Sequence, residues 1–241
     1  MPDALVLDGV SVRYGGVIAL DGVSLTVAPG TTLGLIGPNG AGKTTLINAT
    51  TGIAPLAGGT IALGARRLDG LPPHRIARAG IARTYQNIRL FGAHDVRTNL
   101  AAGAYAQPGR LSDEAARALL ERAGVAHLDL DALASALPYG DQRRLEIART
   151  LASRPAILML DEPAAGMNPS ETARLAGTIR ALANDGVGIL LIEHDMTLVR
   201  AASDRVVVLN FGEVLARGTP AEVVRDPAVI EAYLGTREDI A

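Results

Sequence analysis

The 241-residue chain contains no cysteine and no tryptophan. The first absence excludes disulfides, thiolate metal sites and cysteine nucleophiles. Aromatic residues make up only 3%, too few for the base-stacking platforms that bind single-stranded nucleic acid. Lys and Arg number 23 against 25 Asp and Glu, a formal charge of −2, so no basic footprint for nucleic acid exists. No apolar run approaches the roughly 18 residues needed to span a bilayer. Residues 1–8 lack the basic region and sustained apolar core of a signal peptide, which predicts a cytosolic chain unless another chain holds it at a membrane. The sequence shows no internal repeat and no low-complexity tract. Its length suits one large domain, or a domain carrying an inserted subdomain, with a substantial core.

What is present is concentrated at residues 37–45. Gly37, Pro38, Asn39, Gly40, Ala41, Gly42, Lys43, Thr44 and Thr45 match G-x-x-x-x-G-K-[ST], the phosphate-binding loop pattern. A triphosphate tail carries several negative charges and needs many donors at short range. Gly37, Gly40 and Gly42 permit a tight backbone curl that brings N–H groups to the phosphates. Lys43 adds a point charge for the β and γ phosphates, and the Thr44 hydroxyl suits Mg²⁺. The apolar run 32–36 before the loop reads as a buried strand. Residues 46–52 after it read as a helix closed by Gly52, whose N-terminus also favours anions.

Elsewhere the pattern alternates between strand and helix. Residues 4–8, 10–14, 23–28 and 59–63 read as strands broken by Gly, Asp or Pro. Pro72 and Pro73 lead into a short helix near 74–79. Residues 113–123 and 141–153 are helical, the latter with Leu145, Ala148 and Leu151 on one face, and 88–154 is expected to be a mostly helical insert. Residues 156–160 and 187–192 suit buried parallel strands. Asn168, Pro169 and Glu171 mark a helix start with a capping box, and Leu175, Ile179 and Leu182 give that helix its apolar stripe. Residues 205–217 read as a hairpin around Asn210-Phe211-Gly212-Glu213. Thr219 and Asp226 open two final short helices, the last expected to end at Gly235. This pattern predicts an α/β sheet with its ligand at the carboxyl ends of the strands.

The strand 156–160 runs into two acids. Asp161 suits the Mg²⁺ shell, and Glu162 suits polarising an attacking water. His194 follows the next parallel strand, where its ring can reach the γ-phosphate or that water. His74, His94 and His127 read as structural.

Taken in order, the phosphate loop, Gln86, Leu137-Pro138-Tyr139-Gly140-Asp141, Asp161-Glu162-Pro163 and Glu193-His194-Asp195 resemble an ABC transporter nucleotide-binding subunit over nearly the whole chain. The resemblance implies an α/β fold: a P-loop NTPase core with a parallel sheet (1–87 and 155–241), an N-terminal antiparallel β subdomain and a helical subdomain (88–154). It implies an ATPase that binds ATP and Mg²⁺. It places Tyr14 on the adenine, gives Gln86 contact with Mg²⁺ or the water and a relay to the membrane subunit, and assigns residues 137–141 to the segment that caps the ATP of the opposite subunit in a head-to-tail dimer. Residues 164–168 fall where the family crosses that interface.

The capping segment departs from the usual Leu-Ser-Gly-Gly-Gln. Pro138 removes a hydroxyl and an N–H, and Asp141 would repel a triphosphate unless it faces elsewhere. Asn168 replaces the usual Asp. These departures, with residues 85–91, 162–169 and 226–235, look like the branched-chain amino-acid importer branch. The implied partners are a second, different ATPase subunit, two membrane permeases and, indirectly, a substrate-binding protein, with this chain peripheral at the cytoplasmic face of the cell membrane. Urea and short-amide importers share much of this pattern. A soluble, non-transport ABC ATPase is the other class the motifs allow.

Overall fold

The structure is a computed structural model that describes residues 3–234; the expected helix end at Gly235 lies outside them. β1 (Leu5–Tyr14) pairs antiparallel with β2 (Val17–Val27). Two strands were expected in place of β1. Gly9, at φ 59°, instead forms a bulge between the Leu7–Leu25 and Val10–Val23 pairs, which shifts the register without ending the strand. The Gly15–Gly16 turn joins the two strands and carries β2 six residues further back than its apolar stretch suggested.

β3 (Thr32–Ile36) is buried throughout and feeds the phosphate loop, which opens α1 (Lys43–Thr50). β4 (Gly58–Leu63) and β5 (Arg66–Arg67) complete a four-stranded sheet in the order β2-β1-β4-β5. α2 (Pro73–Arg78) precedes β6 (Ile81–Arg83), a three-residue strand too short to show a period in the sequence.

Three helices then follow: α3 (Val96–Gly103), α4 (Asp113–Arg122) and α5 (Tyr139–Leu151). Irregular segments and one 3-10 turn (Ala134–Ala136) connect them, so the insert is less helical than expected. One of these segments is ordered by a buried side chain. The Asn99 amide donates to the carbonyls of Phe91 (3.1 Å) and Asp95 (2.9 Å) and accepts from the Phe91 N–H (2.9 Å), a satisfied buried network.

β7 (Ile157–Asp161), α6 (Pro169–Asn184), β8 (Gly188–Ile192), α7 (Met196–Ala202), β9 (Arg205–Asn210), β10 (Glu213–Gly218), α8 (Pro220–Val223) and α9 (Pro227–Leu234) finish the described chain. The second sheet runs β10-β9-β3-β8-β7-β6, parallel except for β10. Asn168 caps α6 in a full capping box with Glu171, a task an Asn oxygen performs as well as an Asp oxygen.

The parallel sheet separates two apolar clusters. Ile157 and Met159 of β7 and Leu190 and Ile192 of β8 join the cluster under the antiparallel sheet and α1. Leu158, Leu160, Ile189 and Leu191 join the cluster with α3 to α6. These side chains are at most 1% exposed, each contributing on the order of 1.5–3 kcal/mol by leaving water.

Candidate nucleotide-binding site

The sheet's topology brings the carboxyl ends of β3, β7 and β8 side by side, because β3 pairs with β8 and β8 with β7. After β3, the phosphate loop turns through glycines that no other residue could replace without strain. Gly37 sits at φ 151° and Gly42 at φ 103°. A side chain at Gly37 would overlap the Leu209 carbonyl, and one at Gly42 would lie 2.8 Å from the Ala19 oxygen. The loop is thus wedged between the β9–β10 hairpin and β2. The Lys43 ammonium is held over it, donating to the carbonyls of Gly37 (2.5 Å) and Pro38 (2.9 Å). Burial lowers the Lys43 pKa from 10.5, and the carboxylates of Glu162 and Asp161 oppose that shift.

An open cleft of about 550 Å³ lies over this loop, lined by Val17–Ala19, Asn39–Thr45, Gln86, Glu162, Phe211 and Gly212. Tyr14, expected against the base, is half-exposed and does not line it; the hairpin turn puts Val17, Ile18 and Ala19 there instead. Phe211 was read only as a turn residue. It stands 86% exposed at the cleft mouth, at φ 45°, a costly backbone for an aromatic residue.

Glu162, like Phe211, is a non-glycine residue held at positive φ, at 46°. Its N–H donates to the Ile192 carbonyl (2.9 Å), which fixes the turn and aims its side chain into the cleft. The Gln86 amide donates to Glu162 Oε2 (2.8 Å), and His194 Nδ1 lies 3.8 Å from Glu162 Oε1. A carboxylate with both oxygens so placed can orient a water and accept its proton. Asp161 sits behind, 7% exposed, 3.4 Å from an Arg83 guanidinium nitrogen. Burial raises its pKa above 3.8; Arg83 opposes this and Glu162 adds to it. Glu193, 1% exposed, accepts from the N–H groups of Ala164 (2.9 Å), His194 (3.1 Å) and Asp195 (3.3 Å). It thereby ties the turn after Glu162 to His194, a role invisible in sequence because its partners are backbone groups.

Leu137, Pro138, Tyr139, Gly140 and Asp141 lie apart from this cleft, at the start of α5. Pro138 is the residue before the helix, at φ −54°. Asp141 faces inward, paired with Arg144 (2.8 Å) and His127 (3.0 Å). Arg144 thus offsets the charge of Asp141, and His127 has a polar partner that sequence spacing did not reveal.

The family model described as ABC transporter matches residues 20–165. The chain belongs to the ABC transporter ATP-binding cassettes. A second model, the branched-chain amino acid ATP-binding cassette transporter, matches residues 213–239. Among curated relatives, the high-affinity branched-chain amino acid transport ATP-binding protein LivG of Salmonella typhimurium is 47% identical, over 96% of this chain and 97% of its own. BraF of Pseudomonas aeruginosa, described in the same words, is 45% identical over the same shares. The crystal structure of an ABC transporter cassette in its ADP conformation superposes with a TM-score of 0.88 at 29% identity, covering 98% of this chain and all of that one. As a cassette of this family the chain is an ATPase of the transport-coupled type.

Proposed function

We propose that this cassette hydrolyses ATP to drive uptake of branched-chain and related hydrophobic amino acids. The observation that carries this reading is full-length similarity to LivG and BraF, joined by the match to the branched-chain model at the C-terminal end. In this reading residues 37–45 cradle the triphosphate, Glu162 activates the water, and Gln86 and His194 orient it. The oxygens of Thr44, Gln86 and Asp161 suit a hard cation, and a divalent charge there would offset the burial that raises the Asp161 pKa. Those residues would hold Mg²⁺, which when bound neutralises charge on the phosphates.

The cassette works head-to-tail with a second, different ATPase subunit, beneath two permeases fed by a substrate-binding protein. It sits peripherally on the cytoplasmic face of the cell membrane; no described helix is long and apolar enough to cross a membrane. Residues 1–87 and 155–241 form the ATP-binding core and 88–154 the helical subdomain.

The test is ATP-dependent uptake by vesicles containing this chain, its partner ATPase and the permeases, with the binding protein supplied outside. Accumulation of leucine, isoleucine or valine is the expected result. Accumulation of urea or short amides instead would reassign the cargo. No uptake of any of them, with no membrane protein co-purifying, would replace the importer by a soluble ABC ATPase.

A further inference from the structure

A buried ion pair outside the cleft holds the segment that carries Gln86. Arg143 and Glu146, one turn apart on α5, are both 0% exposed. The Arg143 guanidinium donates from Nη1 to the Tyr85 carbonyl (2.7 Å) and to Glu146 Oε2 (3.0 Å), and from Nη2 to the Gln86 carbonyl (2.6 Å). The other Glu146 oxygen accepts from the Arg89 N–H (3.0 Å). Between these grips the Tyr85 ring is sandwiched by the guanidinium groups of Arg83 (4.5 Å) and Arg89 (4.0 Å). One side-chain pair on α5 thus holds residues 85–89 at both ends.

Two considerations separate this pair from ordinary packing. A buried ion pair adds little stability over apolar residues of the same volume, so stability alone does not account for it. The pair also tolerates a loss: Arg143 Nε is buried without a partner among the described residues, while the Nη groups reach the two carbonyls, the carboxylate and, at 3.5 Å, the Tyr139 hydroxyl. The first turn of the same helix contains Gly140 and Asp141, so the Arg143 bonds join that helix directly to the segment carrying Gln86.

We infer that Arg143, with Glu146 as its counter-ion, is a positioning residue for hydrolysis: it clamps the Tyr85 and Gln86 backbone to α5 and so keeps the Gln86 amide on Glu162. The inference rests on the reading of Gln86 and Glu162 given above.

Two variants test it in the complete transporter. Arg143→Lys keeps the charge but lacks the planar fork that reaches two carbonyls and a carboxylate together. The double variant Arg143→Met/Glu146→Leu removes both charges at similar volume and keeps the helix packed. Both should lower kcat on the order of 10- to 100-fold, as small misplacements do, with the KM for ATP within about twofold of wild type. The amides of 85–89 should exchange faster in both, while those of β7 do not. In a Gln86→Ala background, Arg143→Lys should cause no further loss, because the two act through one contact. An equal loss in that background would make Arg143 a general structural residue and overturn the inference, as would failure of both variants to fold. Gln86→Ala slow but both Arg143 variants at wild-type kcat would overturn the inference alone. Gln86→Ala at wild-type kcat would overturn the reading of the site and the inference with it.

Discussion

Glu162→Gln isolates chemistry from binding. The substitution preserves volume, and the backbone bond from residue 162 to the Ile192 carbonyl does not involve the side chain. The Gln86 amide, 2.8 Å from Glu162 Oε2, can donate to the oxygen of a glutamine amide placed there. Lys43 is held by the carbonyls of Gly37 and Pro38, not by Glu162, so the phosphate cradle stays in place. What disappears is the carboxylate that faces Gln86 and His194. A positioned general base contributes about 10²–10⁴-fold, or about 2.7–5.4 kcal/mol at 1.36 kcal/mol per decade. Phosphate release by the assembled transporter should therefore fall by about a thousandfold. ATP affinity, measured by equilibrium binding of a fluorescent analogue, should be unchanged or tighter, since a negative charge beside the triphosphate is gone. Turnover within about tenfold of wild type would remove Glu162 from its role. Loss of turnover together with binding would show that the side chain supports the loop rather than the reaction.

Lys43→Ala should weaken ATP binding about 10- to 100-fold, the range for a lost charged hydrogen bond; wild-type affinity by calorimetry would contradict the cradle geometry. Asp161→Asn should raise the thermal midpoint of the nucleotide-free protein at neutral pH while lowering turnover. The sign follows from burial: the folded-state pKa of Asp161 lies above 3.8, so ionisation costs stability above that raised value. The cost vanishes as pH falls through it toward 3.8, and the advantage of Asn in a pH series of melts should shrink over the same interval. A constant advantage at all pH values would contradict this account. Gly103→Ala should destabilise the protein by about 1–3 kcal/mol, because an added methyl would overlap the Arg149 carbonyl where α3 crosses α5; an unchanged denaturant midpoint would show that the two helices can separate freely.

Legibility in the sequence followed the physics of each part. The phosphate loop was readable because its glycines, lysine and hydroxyl are dictated by the ligand at fixed spacing. Asp161 and Glu162 were readable because an apolar strand pointed at them. The orientation of Asp141 was not, because it depends on His127, brought near only by the fold of the insert; Arg144, three residues on, was the part a helical wheel could supply. Tyr14 and the base were placed by family resemblance, and the two-residue turn after it moved Val17 to Ala19 to the cleft. β6 escaped because three residues carry no period, and Glu193 because its partners are N–H groups that every residue possesses.

The alternation along β7 has a consequence for how this fold can fail. Odd and even residues of one five-residue strand belong to different apolar clusters, and β8 repeats the arrangement. A slip of one position would exchange the two sets wholesale, sending Ile157 and Met159 among the helices and turning Asp161 away from α1. The strand thus acts as a parity check: a chain that pairs out of frame is penalised on both sides of the sheet at once, so a molecule with the wrong carboxylate facing the phosphate loop is also one that has not folded.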